Sequence, residues 1–148
     1  HGGVLPGPKV TAEIATARGV PINVDCVSPA QHSAFSTPLE LLQFIARLRK
    51  LSAGKPIGFK LCIGHPWEFM GICKAMLQTG IQPDFVVIDG TEGGTGAAPQ
   101  TLMDHMSLPI AEALPRVVDA LIQADLRDRV RVIAAGKLVT SAKAAWAL

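Results

Sequence analysis

The 148 residues are 49% hydrophobic and 18% charged, with a net charge of +2 at neutral pH and a mean hydropathy of +0.33. That is single-domain size, apolar enough to build a core and to bury further surface against another chain. The charge is spread without a basic stripe, which argues against nucleic acid, and no apolar run approaches the ~20 residues that span a bilayer. No signal peptide is recognisable. Cys26, Cys62 and Cys73 form no close pair, which argues against a disulfide framework or a zinc site and favours a reducing cytoplasm. The first residue is His1, and the chain reads as a segment of a longer protein, cut at both ends.

The opening stretch, residues 1–9, carries Gly2, Gly3, Pro6, Gly7 and Pro8 and is expected to be loop. Residues 10–18 suit a short helix ended by Gly19. Residues 20–27 alternate and read as a strand, followed by a Ser28-Pro29 turn. Thr37-Pro38-Leu39-Glu40 is a helix start, with Thr37 as N-cap, Pro38 at the first helical position and Glu40 completing a capping box. Leu41, Phe44, Ile45 and Leu48 form its buried stripe, while Arg47, Arg49 and Lys50 suit the negative end of the dipole. Residues 56–62 read as a second strand. Residues 67–78 read as a helix with Phe69, Ile72, Cys73 and Met76 inward.

The third strand, residues 84–89, is a short apolar run with β-branched residues at Val86, Val87 and Ile88, as in buried parallel strands. A helix over residues 110–124 buries Leu114, Val117, Val118, Leu121 and Ile122, with its regular part expected to begin at Pro115. Residues 131–135 form the fourth strand, and Thr140 or Ser141 caps a last helix. Four consecutive strand–helix units imply an α/β fold with a parallel sheet. They fit either a small doubly wound sheet or about half of a (β/α)8 TIM-type barrel. Lys60 favours the barrel: alternation puts it with Gly58 and Cys62 on the face opposite Ile57, Phe59 and Leu61. A lysine inside a buried strand is costly without a partner, and a barrel interior near its carboxyl rim gives it a wet, functional place. The other reading open from the residues is a surface lysine on an edge strand.

The third strand empties into Gly90-Thr91-Glu92-Gly93-Gly94-Thr95-Gly96, with four glycines in seven residues. It is not a P-loop or a dinucleotide fingerprint, lacking the lysine of the first and the third glycine of the second. Two readings stay open from the residues alone, a tight turn with a helix cap or a loop whose bare backbone approaches a ligand. Ala134-Ala135-Gly136-Lys137 repeats the theme after the fourth strand, where barrels often hold phosphate. His1, His32, His65 and His105 show no metal-ligand spacing, so no metal is expected. The cysteines read as buried apolar residues. A Ser/His/Asp hydrolase lacks its nucleophile elbow.

Taken in order, Gly2-Gly3-Val4-Leu5-Pro6-Gly7-Pro8-Lys9-Val10-Thr11, Phe59-Lys60-Leu61 and Asp89-Gly90-Thr91-Glu92-Gly93-Gly94-Thr95-Gly96-Ala97-Ala98-Pro99 resemble the FMN-binding domain of glutamate synthase. With Gly64-His65-Pro66-Trp67-Glu68-Phe69 added, the likeness is greater still to the stand-alone glutamate synthase-like FMN-binding proteins. The resemblance runs essentially end to end and makes residues 1–148 a partial barrel domain of that kind. It implies FMN as cofactor, bound by Lys60, Gly93, Gly94, Thr95, Gly96 and Gly136. Lys60 would be the catalytic group beside the flavin N1/C2-carbonyl edge, the glycine pair would let backbone pass the ring, and Gly136 would belong to the phosphate loop. Lys9 and Arg18 match cations near a 2-oxo acid substrate.

Two departures stand out. Val4 occupies the place of a glutamine near the substrate of glutamate synthases, which bears on 2-oxoglutarate specificity. The family's cluster-binding cysteines are not among these residues, so no iron–sulfur cluster is expected in this piece. The implied function is amino/imino oxidoreduction linking 2-oxo acids to amino acids, within glutamate and amino-acid metabolism. The partners expected are a small 2-oxo or amino acid and further copies of the chain, because an open half-barrel exposes two sheet edges. The alternative is a non-catalytic half-barrel that binds phosphate or flavin weakly, or only self-associates.

Overall fold

The computed structural model describes residues 3–29, 31–92, 101 and 105–148. The chain begins with β1 (Val4–Leu5), a 3-10 turn (Gly7–Lys9), α1 (Ala12–Arg18) and β2 (Cys26–Val27). There follow α2 (Pro38–Leu51), β3 (Gly58–Cys62), α3 (Pro66–Thr79), β4 (Phe85–Asp89), α4 (Ile110–Gln123), β5 (Arg131–Ala135) and α5 (Ser141–Ala147). Strands β3, β4 and β5 make a parallel sheet in that order, with β4 in the centre. These consecutive parallel strand–helix units form an open α/β sheet that fits part of a (β/α)8 barrel.

The first expected strand is the exception. Within residues 20–27 only Cys26–Val27 pairs, and it pairs antiparallel with β1, outside the main sheet. Pro21 has no N–H to give a ladder, and Asn23 takes a left-handed φ of 58°, so the chain turns where alternation suggested extension. The Asn23 N–H donates to the Val10 carbonyl, and the Gly7 N–H donates to the Asp25 carboxylate at 2.6 Å. The amino-terminal residues thus fold onto themselves, with Val10 and Ala15 buried apart from the main core cluster. Among the described residues three parallel strands, not four, make the sheet.

Elsewhere local chemistry places the helices. Thr37 and Glu40 cap α2 reciprocally, Thr11 caps α1 and Thr140 caps α5. Gly19 and Gly80 end α1 and α3 at φ near 66° and 68°, where a Cβ is disfavoured. Pro115 does not open α4: the helix starts at Ile110 and runs through the proline. The α2 stripe centres on Leu42 and Ile45, with Leu41, Phe44 and Leu48 half-buried, because Phe44 leans toward His32 and Phe35. On α4, Ile122 is 58% exposed while Ile110 and Ala113 complete the buried face.

The core lies on one side of the sheet. Val86 and Ile88 of β4 are fully buried under Phe69, Cys73 and Met76 of α3 and Val117 and Leu121 of α4. Phe59, Leu61, Val132 and Ala134 extend that face onto the flanking strands. The other face keeps the opposite parity. Its rows, in register, are Gly58–Phe85–Arg131, Lys60–Val87–Ile133 and Cys62–Asp89–Ala135. In a closed barrel these rows are the layers that line the interior.

Candidate functional site

The open face carries charge toward its carboxyl end. Lys60 is on β3 level with Val87, and Asp89 is the last residue of β4, one pleat further along the same face. The Lys60 ammonium meets the Asp89 carboxylate at 2.6 Å, with side chains 58% and 21% exposed. The hydrogen bond to Asp89, and then its charge, holds the Lys60 ammonium above the usual lysine range. Lys60 is not buried on this edge strand, as its expected cost assumed, but it is paired with Asp89.

Cys62 is level with Asp89. It is exposed as a residue, contrary to its expected burial, because its parity places it on the open face. Its thiol is nevertheless pushed up, first by desolvation and then by the neighbouring Asp89, while a hydrogen bond with Ser107 pulls the other way. Cys73, on α3, is the buried cysteine, and burial pushes its thiol to about 11. Neither thiol is poised as a nucleophile at neutral pH.

Beyond the rim, the Gly90 N–H donates to the Ala135 carbonyl at 2.9 Å and joins the ends of β4 and β5. The Glu92 carboxylate turns back and accepts from the Ile110 N–H at 3.0 Å, at the amino end of α4. Gly136 has a φ of 146°, and a Cβ there would meet Glu92 at 2.9 Å and the Gly90 nitrogen at 3.3 Å. A Cβ on Gly90 would collide with the same carboxylate. At Gly90 an added Cβ would also fall 2.7 Å from the Ile110 nitrogen, so close backbone approach favours glycine there, while at Gly136 the φ does.

Lys60 lies on the open face one row below the carboxyl rim, and Gly136 follows β5 at that rim, beside Glu92 and Ile110. Gly93, Gly94, Thr95 and Gly96 lie outside the described residues. Lys9, in the 3-10 turn, and Arg18, in the last turn of α1, are exposed members of the amino-terminal unit. Among the described residues neither forms a hydrogen bond or ion pair with Lys60, Asp89 or Gly136. Asp89, Glu92 and Ser107 were not singled out by sequence. Asp89 had a usable signal, an acid closing a buried strand at the parity of Lys60, but using it required the register between β3 and β4. Among the described residues no cluster of three or more His, Cys, Asp or Glu could hold a metal, and no helix is long and apolar enough to cross a membrane.

The family model described as the conserved region in glutamate synthase matches residues 1–148. The chain is 44% identical over its full length to the glutamate synthase large subunit-like protein YerD of Bacillus subtilis, covering 28% of that protein. It is 38% identical over 144 residues to the archaeal glutamate synthase (NADPH) of Methanocaldococcus jannaschii, covering 95% of this chain and 27% of that one. It is also 35% identical over 142 residues, 95% of this chain, to the glutamate synthase (NADPH) large chain of Bacillus subtilis, of which it covers 9%. The chain spans little more than a quarter of the length of the first two relatives. By a match along its whole length, the chain belongs to the glutamate synthase family.

Proposed function

We propose that this chain supplies the flavin-facing part of an FMN-dependent, glutamate synthase-like oxidoreductase acting on amino and imino groups. The observation that carries the reading is Lys60, a cation fixed on the open face just below the carboxyl rim. Electron-rich rings gain most from a fixed positive charge on a scaffold of strands. Bound FMN would supply hydride transfer to or from the carbon bearing nitrogen. Lys60 would hold its charge against the N1/C2-carbonyl edge. Gly136, at a φ that disfavours any side chain, would keep backbone close to the phosphate, and Gly93, Gly94, Thr95 and Gly96 would pass along the ring. Lys9 and Arg18 would hold a substrate carboxylate. The fit rests on donor chemistry and backbone clearance at one rim, in residues 1–148 read as part of the barrel.

A titration with FMN, followed by flavin absorbance and fluorescence, tests this. Binding is expected, and Lys60→Ala should weaken it roughly tenfold, about 1.4 kcal/mol. Equal affinity in the variant would leave the competing reading of a non-catalytic half-barrel that binds flavin weakly, and no binding would leave one that only self-associates. The exposed edge strands β3 and β5 are what that reading has in its favour.

A further inference from the structure

A lysine side chain is a point charge on a flexible four-carbon stem, and a strand alone does not fix where its head lies. Here the backbone of Lys60 is level with Val87, and its same-face neighbours in the row are Val87 and Ile133, which offer no acceptor. The acceptor lies one row nearer the rim, at Asp89, and the ammonium reaches it at 2.6 Å. Asp89 itself is anchored. It closes β4 between Cys62 and Ala135, and the next residue, Gly90, is tied to the Ala135 carbonyl at 2.9 Å. It is also the less exposed partner, at 21% against 58%. The pair is therefore asymmetric: a fixed carboxylate aims a mobile cation.

We propose that Asp89 is the positioning residue of this site, drawing the Lys60 ammonium from the middle row of the inner face to its rim. The proposal rests on the flavin reading only for what the aimed cation then meets. Asp89 touches no ring in this account and acts through Lys60. Its charge also helps keep the neighbouring Cys62 thiol protonated, so beside the Lys60–Asp89 pair this end of the face presents no thiolate.

Two readouts test it. In a proton–nitrogen correlation spectrum of the chain without flavin, the Lys60 ammonium should give a slowly exchanging signal, assigned by its loss in Lys60→Ala. Asp89→Asn, which keeps shape and removes charge, should abolish that signal while the backbone spectrum persists. A signal unchanged in Asp89→Asn would overturn the proposal. The second readout is a double-mutant cycle on FMN affinity. The roughly tenfold loss expected for Lys60→Ala should shrink to less than about threefold in the Asp89→Asn background. An equal loss in both backgrounds would also overturn it. If the unsubstituted chain takes up no FMN, the flavin reading fails, and the ammonium spectrum alone decides the role of Asp89.

Discussion

Asp84, just before β4, joins three parts of the chain through one carboxylate. Its Oδ2 accepts from the Ile57 N–H at 2.7 Å and from Arg49 of α2 at 2.8 Å, and the Arg49 guanidinium also donates to the Gln82 carbonyl. The Ile57 N–H, and then Arg49, holds the Asp84 carboxyl below the usual aspartate range. Both side chains are more than 30% exposed, so solvent screens the pair, and Asp84→Asn should cost about 1 kcal/mol. A carboxyl lowered on folding stabilises above its unfolded value and loses that contribution as pH falls through the folded one. Denaturant unfolding should therefore show a constant gap between the two proteins from neutrality to about pH 4, closing below it. Gly136 offers a second residue-scale test. Gly136→Ala forces a side chain into a φ of 146° and against Gly90, and should lower stability by about 1–3 kcal/mol in the same assay.

Among the elements, α4 carries the clearest internal conflict. Pro115 lies inside it, five residues past its start, where the ring crowds the preceding turn and the Ala111 carbonyl loses its donor. Pro115→Ala should raise the stability by about 2 kcal/mol, read as a higher melting temperature, since the helix gain exceeds the lost restriction of the unfolded chain. Sequence made the helix legible through its apolar period, but packing put the start at Ile110, whose N–H the Glu92 carboxylate caps. Strands β3, β4 and β5 were legible for a similar reason: each is a short segment with apolar residues on the packed face, and each lies between stretches that read as helix or turn. Residues 20–27 misled because alternation there is not matched by pairing, and a left-handed Asn23 leaves no trace in hydropathy. Lys60 could be read as a buried-strand cation needing a partner. Which partner could not be read, because Asp89 lies 29 residues away and is brought to Lys60 only by the parallel register.

At the scale of the whole molecule, one face of the sheet is packed and the other is not. Val86 and Ile88 are sealed by helices, whereas Ile133 is 47% exposed on edge strand β5, in the row of Lys60 and Val87. Such a face and two free edges favour pairing with other chains. The isolated chain should therefore self-associate at micromolar concentration in light scattering, and Ile133→Lys should shift it toward monomer. The charged pair belongs to this unpacked face: Lys60 and Asp89 meet on it, and Gly136 lies at its carboxyl end. The most direct test is a backbone chemical-shift map of the labelled chain titrated with FMN. Shifts should concentrate at Lys60, Asp89, Gly90 and Gly136, at the carboxyl end of the sheet. Shifts confined to the groove between α2 and α3, around Phe35 and Trp67, or no shifts at all, would contradict it.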